Sequence, residues 1–204
     1  GRHAGAVLEH GYRAPARMIT ATSTVGNRII NIDWRPAFEV YQEMAGAQYG
    51  VTITRENFYR YAVAFPFGIM RADGEVLVRI PVTLMEDGSL FCIGEVPPNA
   101  LLTLLHSPEV DSPQTARTMA DGLTSLNGPR QGRELLLFYC AGRRIYVGHE
   151  KAKNELLELG RLTRASRIAG AISLGEIGSS RLGGYPLFHN AALVSCCWGE
   201  DRKK

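Results

Sequence analysis

Apolar and polar residues alternate along much of the first half of the chain, a pattern that predicts half-buried β-strands. The clearest example runs from Glu75 to Leu84, where Val76, Val78, Ile80 and Val82 share one face. Asp-Gly pairs stand on both sides of this run and provide turns. Strands that follow one another through short turns of this kind predict an antiparallel meander.

Similar runs stand near both ends of the sequence. Arg17 to Val25 and Arg28 to Ile32 flank Gly26-Asn27, a pair that accepts positive φ and predicts a hairpin. Ile168 to Ile177 and His189 to Trp198 predict the last two strands, with a glycine-rich loop between them.

The pattern changes to helical spacing in a few segments. Phe38, Tyr41 and Met44 share one face of a predicted helix, which we expect Asp33 to cap and Gly46 to end. Further helices are predicted over three segments, namely a short one from about Arg55, then Gln114 to about Leu126, and Glu150 to Arg161.

One strand is more apolar than the others. Glu134 to Cys140 has Leu-Leu-Leu-Phe-Tyr-Cys at its heart, which predicts burial on both faces and a central place in its sheet. Strands interrupted by single helices favour the α+β class, here a largely antiparallel, meander-type sheet with helices packed on one face.

Composition narrows the possible functions. The 204 residues are 45% hydrophobic and carry a net charge of +3, which gives no strong field for nucleic acid or an anionic membrane surface. No segment approaches the roughly 20 apolar residues of a membrane span. The four cysteines lie in apolar runs without Cys-x-x-Cys spacing, so we expect buried thiols in the reducing cytoplasm rather than disulfides.

Two polar features stand at the ends of the last strands. Glu176 lies between Gly175 and Gly178, which would let a ligand or another backbone approach a carboxylate that receives an ammonium group. His189 and Asn190 follow the glycine-rich loop and provide groups that hydrogen-bond a ligand, ligate a metal or move a proton. Alternatively, Glu176 could point to water or pair with a nearby arginine. His189 and Asn190 could instead hydrogen-bond the loop backbone and hold the loop against the sheet.

A third feature follows the central strand. Cys140 ends that strand, and Arg143 comes three residues later, where a guanidinium would bind a carboxylate bidentately. Arg143 could equally cap carbonyls or pair with Glu155 on the next helix. A nucleophilic Cys140, assisted by His189 and Glu176, is a further alternative, but no catalytic signature specifies it.

These segments together resemble the FIST family of sensory domains. Glu9-His10-Gly11-Tyr12 through Tyr41 is similar to the seam between the N-terminal and C-terminal FIST parts. Phe138 through Arg143 is similar to the family's cysteine/arginine strand end. Gly170 through Ile177, followed by Phe188-His189-Asn190, is similar to its closing pair of strands.

The resemblance implies a division of the chain and a function. Residues 1–34 correspond to trailing strands of the FIST N-terminal part, and residues 35–204 to the FIST C-terminal domain. The family implies non-catalytic sensing of a small ligand, with amino acids proposed, in bacterial signalling proteins. The signal passes to a partner such as a histidine kinase or receptor module. One branch resembles haem-binding nitric-oxide sensors, for which His189 or His10 would be the axial ligand.

The leading hypothesis is therefore a ligand site with no resident cofactor and no metal. Glu176 would bind an ammonium group and Arg143 a carboxylate, while His189 and Asn190 would orient the ligand beside Cys140. This set of charges matches an amino-acid-like molecule.

Overall fold

The computed structural model describes residues 5–107, 111–128, 132–181 and 183–198. The chain forms two compact units, a central unit of Tyr12–Glu109 and a terminal unit made of Gly1–Gly11 with Val110–Lys204. Both combine helices with mostly antiparallel strands, so the predicted α+β class is confirmed. Among the described residues, no helix is long and apolar enough to cross a membrane.

The helices and strands have these bounds in chain order. The helices are Ala37–Tyr49 (α1), Phe58–Ala62 (α2), Ser112–Asn127 (α3), Ala141–Val147 (α4) and His149–Thr163 (α5). The strands are Ala6–Glu9 (β1), Ile19–Thr20 (β2), Ser23–Val25 (β3), Arg28–Ile32 (β4), Arg35–Pro36 (β5), Phe67–Met70 (β6), Val76–Arg79 (β7), Pro81–Leu84 (β8), Leu90–Cys92 (β9), Leu101–Leu104 (β10), Glu134–Cys140 (β11), Arg167–Ser173 (β12), Glu176–Gly178 (β13), Leu187–His189 (β14) and Leu193–Trp198 (β15).

The central unit contains two antiparallel sheets. One has the order β2-β10-β6-β7, and the other joins β3, β4, β9 and β8, with β5 also paired to β4. The hairpin predicted about Gly26-Asn27 is confirmed, because Val25 lies opposite Arg28. Tyr41 of α1 is fully buried in the unit's core and donates its hydroxyl to the carbonyl of Phe65 at 2.9 Å.

Two details of the central unit differ from the prediction. The run from Glu75 to Leu84 is two strands in different sheets, since β7 pairs with β6 and β8 pairs with β9. Pro81, which has no N–H to donate, stands at the break. Helix α1 passes Gly46 and ends at Tyr49, where Gly50 takes the left-handed conformation at φ 66°.

The predicted cap of α1 is also wrong. The residue before α1 is Pro36, and no side chain caps the helix there. Asp33 instead accepts a hydrogen bond from the Thr20 N–H at 2.8 Å, which ties the end of β4 to β2.

The terminal unit is built on a four-stranded sheet of order β1-β15-β11-β12. The predicted strand Glu134 to Cys140 is β11, which lies between β15 and β12 as expected. The β11–β12 pair is parallel, a departure from the meander that follows from the helical connection through α4 and α5. Helix α4 is not among the helices predicted from the sequence pattern.

Helices α3 and α5 cover one face of this sheet. Met119 and Leu123 of α3 and Leu159 of α5 pack with Leu135 and Leu137 of β11 in one apolar core. The other face is not buried throughout, because Phe138 of β11 is 40% exposed. The expected burial of both faces of β11 is therefore wrong.

The last two predicted strands are each divided in two. The segment Ile168 to Ile177 holds all but the first residue of β12 and then most of β13, and the segment His189 to Trp198 holds the end of β14 and then β15. Strands β13 and β14 form a separate antiparallel pair, in which Glu176 lies opposite His189. This division places the polar residues at the ends of β11, β13 and β14 near one another.

Gly170 is the position in β12 where a side chain is least tolerable. A Cβ atom built there would overlap the carbonyl oxygen of Leu137 on β11. We expect Gly170→Ala to lower the free energy of unfolding by about 2 kcal/mol, because the parallel strand pair would have to separate locally. Urea denaturation followed by circular dichroism measures this change.

Gly160 in α5 provides the matched control for that substitution. Its added Cβ would meet only the Ile168 side chain, at an ordinary contact distance of 3.5 Å. Gly160→Ala should therefore raise the free energy of unfolding by about 0.5–1 kcal/mol, as alanine does inside a helix. Equal effects of the two substitutions would contradict the strand-contact explanation.

Candidate functional site

The residues predicted from the ends of the last strands lie in one buried cluster. We call Cys140, Arg143, Glu176, His189 and Asn190 the polar cluster, and each of these residues is at most 3% exposed. They come from β11, α4, β13, β14 and the residue after β14. All belong to the terminal unit.

Cys140 connects the central strand to the segment after β14. Its backbone N–H donates to the carbonyl of Ala192 at 3.0 Å, and its sulfur accepts from the N–H of Ala191 at 3.2 Å. Ala191 has φ 55°, a backbone conformation that residues with a side chain rarely adopt. These two bonds hold the Asn190-Ala191 turn against the end of β11.

Glu176 and His189 face each other across the β13–β14 pair. The Ser173 hydroxyl donates to Oε1 of Glu176 at 2.5 Å. Burial raises the pKa of Glu176 to about 7, although Ser173, the Ala192 backbone, the Cys140 thiol and the Arg143 charge all act to lower it. The carboxyl group therefore gains or loses its proton near neutral pH.

His10 lies beside this pair. Its ring and that of His189 are stacked with centroids 6.2 Å apart. His10 follows β1, the strand that carries Glu9, and burial raises the pKa of Glu9 to about 7 against the opposing effect of the Arg143 charge. A second carboxyl group of raised pKa thus lies within electrostatic reach of the same guanidinium.

Arg143 is held by a buried ion pair. Its Nε and Nη2 donate to the two carboxylate oxygens of Glu155 at 3.0 Å and 2.5 Å. Its Nη1 donates to the carbonyl of His10 at 2.6 Å and to the hydroxyl of Tyr146 at 3.0 Å. The pairing with Glu155 that the sequence left open is thus present, together with a bond to a backbone carbonyl.

Glu155 was one of the partners that the sequence suggested for Arg143, whereas Tyr139 and Tyr146 were not expected in this network. Glu155 also accepts a hydrogen bond from the Tyr139 hydroxyl at 2.6 Å. The sequence contained a signal that Glu155 is buried, because it stands at helical spacing between Ala152 and Leu159. All three residues are buried in α5. A carboxylate in such a stripe needs a buried cation as its partner.

The glycines on either side of Glu176 serve packing. A Cβ at Gly175 would overlap the ring of Phe188, and one at Gly178 would meet Leu8 at 3.0 Å. The close approach that these glycines predicted is therefore made by side chains of the same unit. This packing holds β13 against β14 and against Leu8 of β1.

The Cys140 thiol is not activated in this arrangement. Burial raises its pKa, and the charge of Glu176 acts in the same direction. A nucleophilic cysteine needs a lowered pKa. Within the described part of the chain, no group of three or more histidine, cysteine or acidic side chains is placed to hold a metal ion.

Comparison with known proteins identifies the family. The FIST C domain matches residues 37–179, more than two thirds of the chain. The match includes Cys140, Arg143 and Glu176, whereas His189 and Asn190 follow it. No curated protein and no solved structure shows a significant match to the chain. FIST domains are in general sensory domains of signal transduction and are generally not enzymes, and this chain belongs to the FIST C domain family.

Proposed function

We propose that the chain is a non-catalytic sensory module that binds an amino-acid-like ligand at the polar cluster. The observation that carries this proposal is the placement of Glu176, His189 and Asn190 beside Cys140 and Arg143 in one buried group. Buried groups that can carry charge are costly to keep, and they concentrate at functional sites. The signal would pass to a cytoplasmic partner such as a histidine kinase or receptor module.

Glu176 is the proposed acceptor of the ligand's ammonium group. Its Oε2 atom is buried and has no hydrogen bond of good geometry among the described residues. A cation placed there would stabilise the carboxylate and lower its pKa from about 7. His189 and Asn190, on the opposite strand and just after it, would orient the ligand.

Arg143 has a proposed role that connects binding to a signal. Its donors are engaged by Glu155 of α5, by a backbone carbonyl and by Tyr146. A ligand carboxylate would therefore compete with Glu155 for the guanidinium. Displacing Glu155 would weaken the connection between α4 and α5, which supplies a two-state element for relay.

Access to the polar cluster requires movement. Its members are almost fully buried, and the cavities described for this unit are lined by other residues. The paired strands β13 and β14 are the proposed gate. We also propose that residues 1–34 represent the end of the FIST N-terminal part and residues 35–204 the FIST C-terminal domain.

The geometry favours this proposal over haem sensing and over thiol catalysis. His189 is fully buried and His10 is 7% exposed, and neither lines any of the cavities described for this unit. Their rings are stacked on each other, with centroids 6.2 Å apart. Axial histidines also present a ring nitrogen to the iron rather than a ring face. The raised pKa of the Cys140 thiol opposes a nucleophilic role.

Calorimetric titration with the common amino acids tests the proposal. At least one should bind the wild-type protein, and Glu176→Ala should weaken that binding by about tenfold or more, because a hydrogen bond to a charged group is lost. Glu150→Ala, at an exposed position of α5, is the matched control and should leave the affinity unchanged.

The same protein preparation distinguishes the alternatives. A Soret band after addition of haemin would favour the haem sensor, and rapid stoichiometric alkylation of one cysteine at neutral pH would favour the thiol enzyme. An absence of heat with every amino acid, in protein shown to be folded by circular dichroism, would count against the proposed ligand class.

A further inference from the structure

Strand β12 is an edge strand without the usual protection. It is seven residues long, and its sheet ends with it, so no described residue pairs with its outer edge. Natural edge strands are usually short or carry proline, lysine or a bulge, which prevents pairing with another chain. Strand β12 has only Arg167, its first residue, as a charged position.

A groove lies beside this edge, on the face of the sheet that α5 covers. Its volume is about 670 Å³, and β12 contributes Ile168 and Ile172 to its lining while α5 contributes Ala152 and Leu156. Ile172 is 55% exposed and Leu157, at the border of the groove, is 62% exposed. The floor of the groove is therefore apolar and open to water.

The rim of the groove is basic. Arg144, His149, Lys153 and Arg167 line it, and no acidic residue stands among the side chains that do so. Arg167 is paired with Glu134 of β11 at 2.8 Å, whereas Arg144 contacts the ring of His149 at 2.9 Å. Cationic charge thus surrounds an apolar floor.

We propose that β12 and this groove bind an extended, acidic segment of a partner protein, which adds to the sheet as a further strand. The outer edge of β12 would supply backbone hydrogen bonds, the groove would receive every second side chain, and the rim would bind carboxylates. This inference names the surface for the proposed relay to a partner, but it does not depend on which ligand the polar cluster binds.

The dimensions of a sheet support this arrangement. An added strand would lie about 4.8 Å from β12, and its side chains would alternate between the two faces of the sheet. Those on the face covered by α5 would enter the groove and cover Ile172. Peptides recognised in this way gain affinity from main-chain bonds and specificity from pockets for alternate side chains.

The charge of the rim decides between possible occupants. A second copy of the chain would bring another basic rim against Arg144 and Lys153, and like charges across an interface are unfavourable. A small anionic amphiphile would use the groove but leave the edge of β12 unpaired. An acidic extended segment would pair with the edge of β12, fill the groove with apolar side chains and place carboxylates at the basic rim.

The test uses a labelled peptide with capped ends, whose groove-facing positions, every second residue, are isoleucine and valine in the middle and glutamate at both ends, so that the carboxylates reach the rim. Fluorescence anisotropy should show that it binds the wild-type chain without added ligand, and that Lys153→Glu weakens this binding by about tenfold. Lys151→Glu makes the same charge change on α5 at an exposed position that lines a different cavity, and should change the affinity by less than about twofold.

Companion measurements identify the mode of binding. A peptide of the same pattern with lysine in place of glutamate, and the acidic peptide with alternate backbone nitrogens methylated, should both bind at least about tenfold more weakly. Equal binding of either would overturn the proposal. It would also be overturned if decanoate bound the groove while no peptide did, or if the chain formed a dimer that Ile172→Lys dissociates.

Discussion

Replacing Arg143 with alanine should lower the free energy of unfolding by about 3–5 kcal/mol, the cost of removing one partner from a buried ion pair. Glu155 is 3% exposed, and without the guanidinium its carboxylate would stay in the interior with only the Tyr139 hydroxyl as its partner among the contacts described above. The carbonyl of His10 would lose a bond of 2.6 Å at the same time. Urea denaturation monitored by circular dichroism measures the loss.

The neighbouring arginine is the matched control. Arg144 is exposed, and Arg144→Ala should change the free energy of unfolding by no more than about 0.5 kcal/mol. The double variant Arg143→Met with Glu155→Leu removes both charges, so it should be more stable than Arg143→Ala alone. Similar values for Arg143→Ala and Arg144→Ala would show that the buried pair contributes little.

The polar cluster could be predicted because its members stand at strand ends. Glu176 and His189 stand on the two sides of one loop, and strands that follow each other in sequence commonly pair, which places these residues opposite each other. Cys140 ends the most apolar strand, which had to be central and therefore near the closing strands. Local sequence information was sufficient in these cases.

The partners within the polar cluster depended on contacts that the sequence does not determine. Arg143 had two plausible anionic partners, a ligand and Glu155, and the choice rests on how α4 and α5 pack. Helix α4 is only seven residues long and contains Gly142, so neither periodicity nor propensity predicts it. Its formation depends on the tertiary contacts of Arg143.

Helix α1 illustrates how packing determines an element's end. Gly46 is a plausible stop on local grounds, but Tyr49, three residues later, packs its ring against Phe65 and donates its hydroxyl to the carbonyl of Leu104 at 2.8 Å. The end comes at Gly50, which adopts the positive φ of a helix C-terminus. The choice between two glycines four residues apart is therefore made by the tertiary contacts of the last helical turn.

Stability of the terminal unit should fall as pH rises from about 4.5 to about 7, because of Glu176. Its pKa is raised to about 7 from 4.5, so between these values the folded protein keeps a proton that the unfolded chain has lost. The contribution of this group to the free energy of unfolding therefore decreases by at most about 3 kcal/mol as the pH rises across this window. Outside the window this contribution is constant. Urea denaturation at a series of pH values measures the slope.

Glu176→Gln should remove this group's share of the pH dependence, because the amide keeps the shape of the side chain and does not titrate. Glu9→Gln is the comparison, since the pKa of Glu9 is also raised to about 7 but its side chain is only half-buried, so that solvent screening makes its share smaller. An unchanged slope in Glu176→Gln would place the titration on another group, such as Glu9, and would show that Glu176 is ionised in the folded protein throughout this range.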